Sequence, residues 1–269
     1  LKVDSPSGNN IDRKIRDSTS MSDAISSILS SSYATHSRSG KSGDKGKTAK
    51  SRVTHAEAVR MGIESDIFTG RLPPGSPIDE EAIAERYSVS RTPVREAMLQ
   101  LLESGLIEKR SRQRAAVAKL DIRRLLQMFE ALSEVEGICA RFAARRATTA
   151  EKEELIQNHK AAADALAARH EDDYFYLGRK FHALIIRATH NAVLIETTNK
   201  LVLPLVPYRR FQLGRDGRQE ANQADHAAIL ESVLNGGANE SYELMRRHNT
   251  VQGDVLAEYM SMGDDVISG

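Results

Sequence analysis

Beyond residue 54 the apolar positions recur mostly at intervals of three and four, the spacing of one helix face. In "THAEAVRMGIESDIFTG" they are Ala58, Met61, Ile63, Ile67 and Phe68, and Gly70 stops the run. "RLPPGSPI" breaks the pattern, with Pro73, Pro74 and Gly75 marking a turn. "DEEAIAERYSV" predicts a second helix. Asp79, Glu80 and Glu81 suit the positive end of its dipole, and Ile83, Ala84 and Tyr87 give it a buried side. A third helix follows, capped by Ser90 or Thr92, with Pro93 tolerated in the first turn because an N–H there would be unpaired anyway. Its apolar side is Val94, Ala97, Met98, Leu101 and Leu102, and Gly105 ends it. Leu106-Ile107 and Ala116-Val117 are read as two short strands around a basic tip. Helix, helix, turn, helix and hairpin within about 65 residues is the order of a winged helix-turn-helix, whose third helix is placed to enter a DNA major groove.

From Asp121 to Met262 the pattern is helical throughout, with no strand-like alternation and no internal repeat. Six or seven helices are expected, near 121–147, 150–170, 172–189, 191–212, 218–235, 237–247 and 248–262, the last two separated by Gly253 or fused. The expected fold class is therefore mainly α, a winged helix-turn-helix followed by an all-helical bundle. The expected organisation is a tail over 1–52, a DNA-binding domain over 53–120, a helical effector and dimerisation domain over 121–262, and a flexible C-terminus over 263–269.

The tail is a separate regime. Thirteen of its first fifty residues are Ser, and Gly and Lys crowd "SRSGKSGDKGKTAK". Such a stretch buries too little apolar surface to offset its ordering entropy, so it is expected to be disordered. Its basic residues would add non-specific affinity for nucleic acid. "MSDAISS" begins at Met21, and a translation start there would leave residues 1–20 outside the protein.

Composition narrows the class. At 269 residues the chain suits two domains, and 40% hydrophobic residues without any Trp predict an aliphatic, helix-forming core. The single cysteine, Cys139, excludes an internal disulfide and fits a reducing cytoplasm. No apolar run approaches the ~20 residues of a membrane-spanning helix, and no apolar leader opens the chain, so a cytoplasmic protein without a membrane partner is expected. The net charge is only +1, so contact with nucleic acid must rest on local clustering.

That clustering is present. Residues 52–120 are nearly neutral, yet four of the six residues in Lys109–Arg114 are basic: Lys109, Arg110, Arg112 and Arg114. Arg91, Thr92 and Arg95 stand on the opening turns of the third helix. An arginine can grip guanine O6 and N7, or a phosphate, with two parallel donors, and basic groups at a wing tip can neutralise the backbone alongside.

"SRTPVREA" followed by "L..LE..GL" closely resembles the DNA-binding domain of GntR-family bacterial transcription regulators. "FEALSEVEGICARFAARRAT", "FHALIIRATHNAVL", "DHAAIL" and "RRHN" resemble the all-helical FCD ligand-binding domain of the family's FadR-type branch. Together these cover residues 55 to 260. The resemblance implies a homodimer that binds an inverted-repeat operator as a metabolite-responsive regulator, most simply a repressor. It also shows a departure: where the family has a glycine at the wing tip, this chain reads Arg112-Gln113-Arg114-Ala115.

Three histidines lie on apolar stripes. His182 is followed by Ile185 and Ile186, His226 by Ile229, Leu230 and Val233, and His248 stands between Leu244-Met245 and Val251. Each should face the bundle interior. A buried His is ordinarily a hydrogen-bonded core residue, but three converging imidazoles are a divalent-metal site, with Zn or Ni ahead of Mg or Ca. These positions match the three metal-binding histidines of FCD domains. The family's fourth ligand, an Asp or Asn four residues before the first histidine, is replaced here by Gly178, which leaves a position for water or for an effector. A carboxylate effector would suit an open metal site with nearby arginines. Tyr208, Arg209 and Arg210 are the candidate effector residues, with a contact to the DNA-binding domain or to a dimer partner as the alternative reading.

Two other classes stay open at this point. A three-His metal with an open position is also the layout of hydrolytic zinc sites, with Glu134 or Glu136 as a carboxylate base. Against it, the chain has no H-E-x-x-H, no nucleophile motif and no Gly-rich phosphate loop. The winged domain could instead serve as a protein-binding adaptor.

Overall fold

The computed structural model describes residues 54–111 and 114–267, without the side chains of Ser111, Arg114 and residues 254–267. The expected tail over 1–52 and the wing-tip Arg112 and Gln113 lie outside the described residues. Among these residues the molecule is mainly helical, and its only sheet has three short strands.

The first helix, α1, spans His55–Phe68. It starts where Thr54 and Glu57 satisfy each other's backbone N–H groups in a capping box, and Gly70, at φ 77°, turns the chain away. Strand β1 is Pro77–Ile78, helix α2 Glu80–Arg86 and helix α3 Arg91–Glu103. Asp79 caps α2 by accepting from the N–H groups of Glu81 and Ala82, whereas Ser90 caps α3 without a side-chain hydrogen bond. Strands β2, Ile107–Ser111, and β3, Arg114–Val117, form the wing. All pairings are antiparallel in the order β1-β3-β2, with Ile78 opposite Ala115 and Ile107 opposite Val117.

The turn expected over "RLPPGSPI" thus contains a strand. Pro77 and Ile78 pair with β3 at the sheet edge, where proline's missing donor is tolerated, and Ile78 is buried. Val59, Ile63, Ile67, Val94, Ala97, Leu101 and Val117 make the core beneath the wing.

The bundle begins with α4, Ile122–Arg146, capped by Asp121. Then come α5, Thr149–Ala167, opened by a Thr148–Glu151 capping box, and α6, Glu171–Arg187. The single helix expected over 191–212 is three pieces: α7, Ala192–Val202, a 3₁₀ turn over Leu203–Leu205, and α8, Val206–Leu213. Pro204 and Pro207 lie at the openings of the second and third pieces, because each lacks the N–H that would continue the helix before it. Helix α9 is Arg218–Leu234.

Helix α10 runs unbroken over Ala238–Ile267, so Gly253 does not interrupt it, and residues 263–267 continue the helix rather than leaving it. Gly253 serves close packing instead: a Cβ there would lie 2.9 Å from Phe129 Cβ on α4. Gly137 does the same from the α4 side against Tyr242. These two contacts press the longest helices together. Ala140, Leu155, Phe181, Ile185, Ile229, Val233 and Met245 fill the bundle core.

The two parts share apolar packing. Phe175 of α6, Leu203 of the 3₁₀ turn and Val206 of α8 belong to the same buried cluster as α1 and α3. The junction is therefore a continuous core and not a loose hinge. The Tyr208 hydroxyl reinforces it by accepting from the backbone N–H of Leu120 at 2.8 Å.

Candidate functional site: a three-histidine centre and a basic helix face

Helices α6, α9 and α10 each carry one of the three histidines to the same point. His182, His226 and His248 are buried, and their candidate ligand nitrogens all lie within 4.8 Å of one another. His226 Nε2 stands 3.2 Å from His182 Nε2 and 3.3 Å from His248 Nε2. Two nitrogens each about 2.0–2.1 Å from one tetrahedral ion would stand about 3.3 Å apart, so the spacing fits a common metal.

The outer ring of the centre fixes which nitrogens point inward. His182 Nδ1 is 2.7 Å from Glu136 Oε2, and His248 Nδ1 is 3.1 Å from Asp225 Oδ2. An Nδ1–H donated to a carboxylate leaves the Nε2 lone pair free, the arrangement found around metal-bound imidazoles. His226 Nε2 thus faces two lone pairs, a place for a proton or a cation. Phe181 stacks on the His226 ring at 4.4 Å and closes one side.

Electrostatics favour neutral rings at His226 and His248. Burial, followed by the neighbouring His248 and His182, pushes His226 well below the ordinary histidine range. Burial also lowers His248, to about 4, although Asp225 pulls the other way. Neutral imidazole is the form that binds metal. Burial would raise the Glu136 carboxyl, but His182, Arg209 and the Asn249 amide overcome it and hold the group below the usual carboxylate range.

Glu136 ties the centre to its surroundings. Its Oε2 accepts from Asn249 Nδ2 at 2.8 Å, and its Oε1 lies 3.6 Å from an Arg209 guanidinium nitrogen. Arg209 in turn donates to Asn249 Oδ1. The sequence had offered Glu136 only as a hydrolytic base. Glu134, its alternative, accepts from the Tyr242 hydroxyl at the surface. Asp225, Asn249 and Gln252 had not been singled out. Each stands within four residues of a candidate ligand, which is the signal that could have found them. Gln252, one helical turn beyond His248, is buried and brings its amide to 2.6 Å from His248 Nε2. Gly178 lies beside the His226 ring. A Cβ there would meet only His226 Cε1, at 3.8 Å, so the glycine is not demanded by crowding.

Of the three expected effector residues only Arg209 reaches this centre. Tyr208 is occupied with Leu120, and Arg210 pairs with Asp172 over the Phe175 ring.

At the other end of the molecule α3 presents a polar face over a buried one. Val94, Ala97, Met98 and Leu101 are buried, while Arg91, Thr92, Arg95, Glu96, Leu99 and Gln100 are exposed. Arg91 is held 2.6 Å from Glu81 and Arg95 3.8 Å from Glu80, both pairs open to solvent and so weak enough to exchange. Leu99 is 57% exposed, a large apolar group on a face otherwise built for polar contact. Lys109 and Arg110 are exposed on β2, with Arg110 3.2 Å from Glu108. The Arg114 backbone pairs in β3.

Residues 55–117 match the family described as bacterial regulatory proteins, gntR family, and residues 127–250 match the FCD domain. The chain is 33% identical over 200 residues to a "Probable D-xylose utilization operon transcriptional repressor" of Paenarthrobacter nicotinovorans, covering 73% of this chain and 86% of that protein. It is 30% identical over 186 residues to the HTH-type transcriptional repressor RspR of Escherichia coli, covering 69% and 82% respectively. Among solved structures, E. coli McbR/YncC superposes with a TM-score of 0.68 at 18% identity, over 78% of this chain and 100% of that one.

Proposed function

The chain belongs to the GntR family of bacterial regulatory proteins and carries an FCD domain, and on that premise we propose a metal-centred repressor that releases its operator in response to a small carboxylate. It is a DNA-binding transcription regulator and not an enzyme, so the hydrolase and adaptor readings fall away with the family assignment. No helix among the described residues is long and apolar enough to cross a membrane, and a cytoplasmic site of action suits a protein that reads DNA.

Helix α3 enters the major groove. Arg91 and Arg95 read base edges from its opening turns, Thr92 stands between them, and Leu99 is placed for a thymine methyl. Lys109, Arg110, Arg112 and Arg114 of the wing hold phosphates. One winged domain reads too short a site, so two chains act as a homodimer on an inverted repeat.

The observation that carries the metal reading is the convergence of three Nε2 atoms, two of them on rings whose Nδ1 atoms face carboxylates. His182, His226 and His248 would hold a borderline divalent ion, zinc or nickel. When bound, that ion supplies a Lewis-acidic centre able to take a carboxylate oxygen. Gly178 offers no ligand atom, and Gln252, beside His248, is the further candidate. A half-turn of its amide exchanges nitrogen for oxygen, so the same side chain serves as a donor to His248 or as an oxygen ligand.

The test joins elemental analysis to a gel shift with DNA from upstream of the protein's own gene. Native protein should carry about one equivalent of zinc or nickel per chain, since three imidazoles make one site. His226→Ala should carry none and yet retain operator binding. Metal-free native protein whose carboxylate response survives His226→Ala would reduce the histidines to core residues, and a sedimenting monomer with and without DNA would remove the dimer.

A further inference from the structure

Helix α2 has no fully buried residue, so its place beside α3 depends on a few polar and ring contacts. Its far end is clasped to α1. The buried Asp66 accepts from Arg71 Nε at 2.6 Å and from Arg86 Nη1 at 2.5 Å. Arg86 also lies over the Tyr87 ring, 5.4 Å from its centroid. The Tyr87 hydroxyl fills the space that a side chain at Gly62 of α1 would need, 1.6 Å from where a Cβ would stand. At the near end Asp79 caps α2, directly after the buried Ile78 of β1. The first turn of α2, which carries Glu80 and Glu81, is therefore held at both ends.

The two acids meet the two arginines of α3 differently. Glu81 Oε1 accepts from Arg91 Nη2 at 2.6 Å. That nitrogen is at the tip of the guanidinium, among the donors that a guanine edge or a phosphate takes end-on. Glu80 Oε2 lies 3.8 Å from Arg95 Nε, the nitrogen on the flank of the group. This is too long for a hydrogen bond, so the carboxylate attracts the guanidinium without taking a donor and leaves the two terminal nitrogens to a base. Glu81 is also the more exposed of the pair, 68% against 40%, and so the freer to let its arginine go.

We propose that Glu80 and Glu81 act on DNA binding in opposite senses, Glu80 as a positioning residue that aims Arg95 at a base edge and Glu81 as a competitor that holds Arg91 away from DNA. Arg95 gives up no bond on binding, and Glu80 stays beside it. Arg91 must leave Glu81, which lowers affinity for every sequence. The inference rests on the base-reading role proposed above for the two arginines. Plain repulsion between carboxylate and phosphate gives a different result: neutralising either acid would strengthen binding to any DNA. At Glu80, repulsion and aiming have opposite signs.

The experiment measures fluorescence anisotropy on the full-length protein at physiological salt. One duplex comes from upstream of the protein's own gene, and the other is a shuffled duplex of the same composition. Glu81→Gln should bind both about two- to fivefold more tightly, the worth of one exposed ion pair. Glu80→Gln should bind the upstream duplex weaker by about the same factor, and the shuffled duplex no more weakly than native protein does. Each effect should vanish once its arginine is gone: Glu81→Gln in an Arg91→Ala background, Glu80→Gln in an Arg95→Ala background. Circular dichroism checks that each variant is folded.

Unchanged or tighter binding of the upstream duplex by Glu80→Gln overturns the aiming role. Equal weakening on both duplexes also overturns it, because a structural role does not distinguish sequences. A gain from Glu81→Gln that survives in Arg91→Ala is repulsion alone and overturns the competition. If Arg91→Ala and Arg95→Ala bind both duplexes as native protein does, the base-reading role of α3 fails and this proposal fails with it. If they lose the upstream duplex but neither acid substitution depends on its arginine, the base-reading role stands and only the proposal falls.

Discussion

The winged domain and the helical domain place their charges in opposite ways. Around α3 the core is apolar, and the groups proposed to contact DNA stand in solvent: Arg91 and Arg95 reach carboxylates on α2 that are themselves exposed. In the bundle, Glu136, Arg209, the three histidines, Asn249 and Gln252 are all buried and bonded to one another. A DNA-reading surface must exchange its internal partners for phosphates and bases, so its ion pairs have to be weak. A site that holds a small ligand works by exclusion of water and fixed geometry, so its polar groups have to be strong and mutually dependent. The same residue types therefore carry different energetics in the two halves: separable and salt-sensitive outside, coupled and non-additive inside.

The sharpest way to break that contrast is Glu136→Ala. The substitution strands His182 Nδ1, the Asn249 amide and Arg209 in the interior at once. Removing one member of a buried charged network costs about 3–5 kcal/mol. Urea unfolding should show a loss of that order, together with weaker metal retention. A loss under about 1 kcal/mol, the scale of an exposed pair, would place the network with surface ion pairs and erase the distinction.

Gly253→Ala comes next. The new methyl must find room against Phe129 Cβ, already at 2.9 Å, on the seam between α4 and α10. Overpacking of this kind costs about 1–3 kcal/mol, partly offset by the better helix propensity of Ala. A thermal scan should record a lower midpoint; a rise would mean that the seam yields and that the glycine is incidental.

Gly253 also shows where the sequence was legible and where it was not. As a lone glycine it reads as a helix interruption, and only the opposing Phe129, more than a hundred residues away, reveals close packing. Pro77-Ile78 fails for a related reason: two residues with a proline carry no alternation, and the strand exists because β3 is there to pair with it. The order of α1, α2, α3 and the wing was readable because each helix has its own apolar stripe and stop signal. The three histidines were readable because each sits on such a stripe. Their partners were not, because Glu136 lies 46 residues from His182 and 113 from Asn249, and nothing local marks it as buried.

On the outer side, Arg95→Ala should cost DNA affinity and little else. The side chain is 69% exposed and pairs with Glu80 only at 3.8 Å, so stability should change by no more than about 0.5 kcal/mol. A good bidentate base contact is worth about 1–3 kcal/mol, so operator binding should weaken roughly tenfold or more while binding to random sequence changes little. Equal losses on both DNAs would make Arg95 a phosphate anchor, and a large loss of stability would show that the exposed face is not separable from the core.

Arg110→Ala should be the mildest of the four and the most informative about the wing. Arg110 is on β2 beside Glu108, in a sheet with no helix frame to aim it at a base edge. The role proposed for it is therefore charge neutralisation, which releases counterions on binding without regard to sequence. Losing one such contact should reduce the slope of log affinity against log salt by about one, equally for operator and random DNA. Because the Glu108 pair is exposed, the fold should not register its loss. Titrations at several salt concentrations separate the outcomes: an unchanged slope with altered base preference would move Arg110 from the phosphates to the groove, and an unchanged slope with unchanged preference would remove it from the interface.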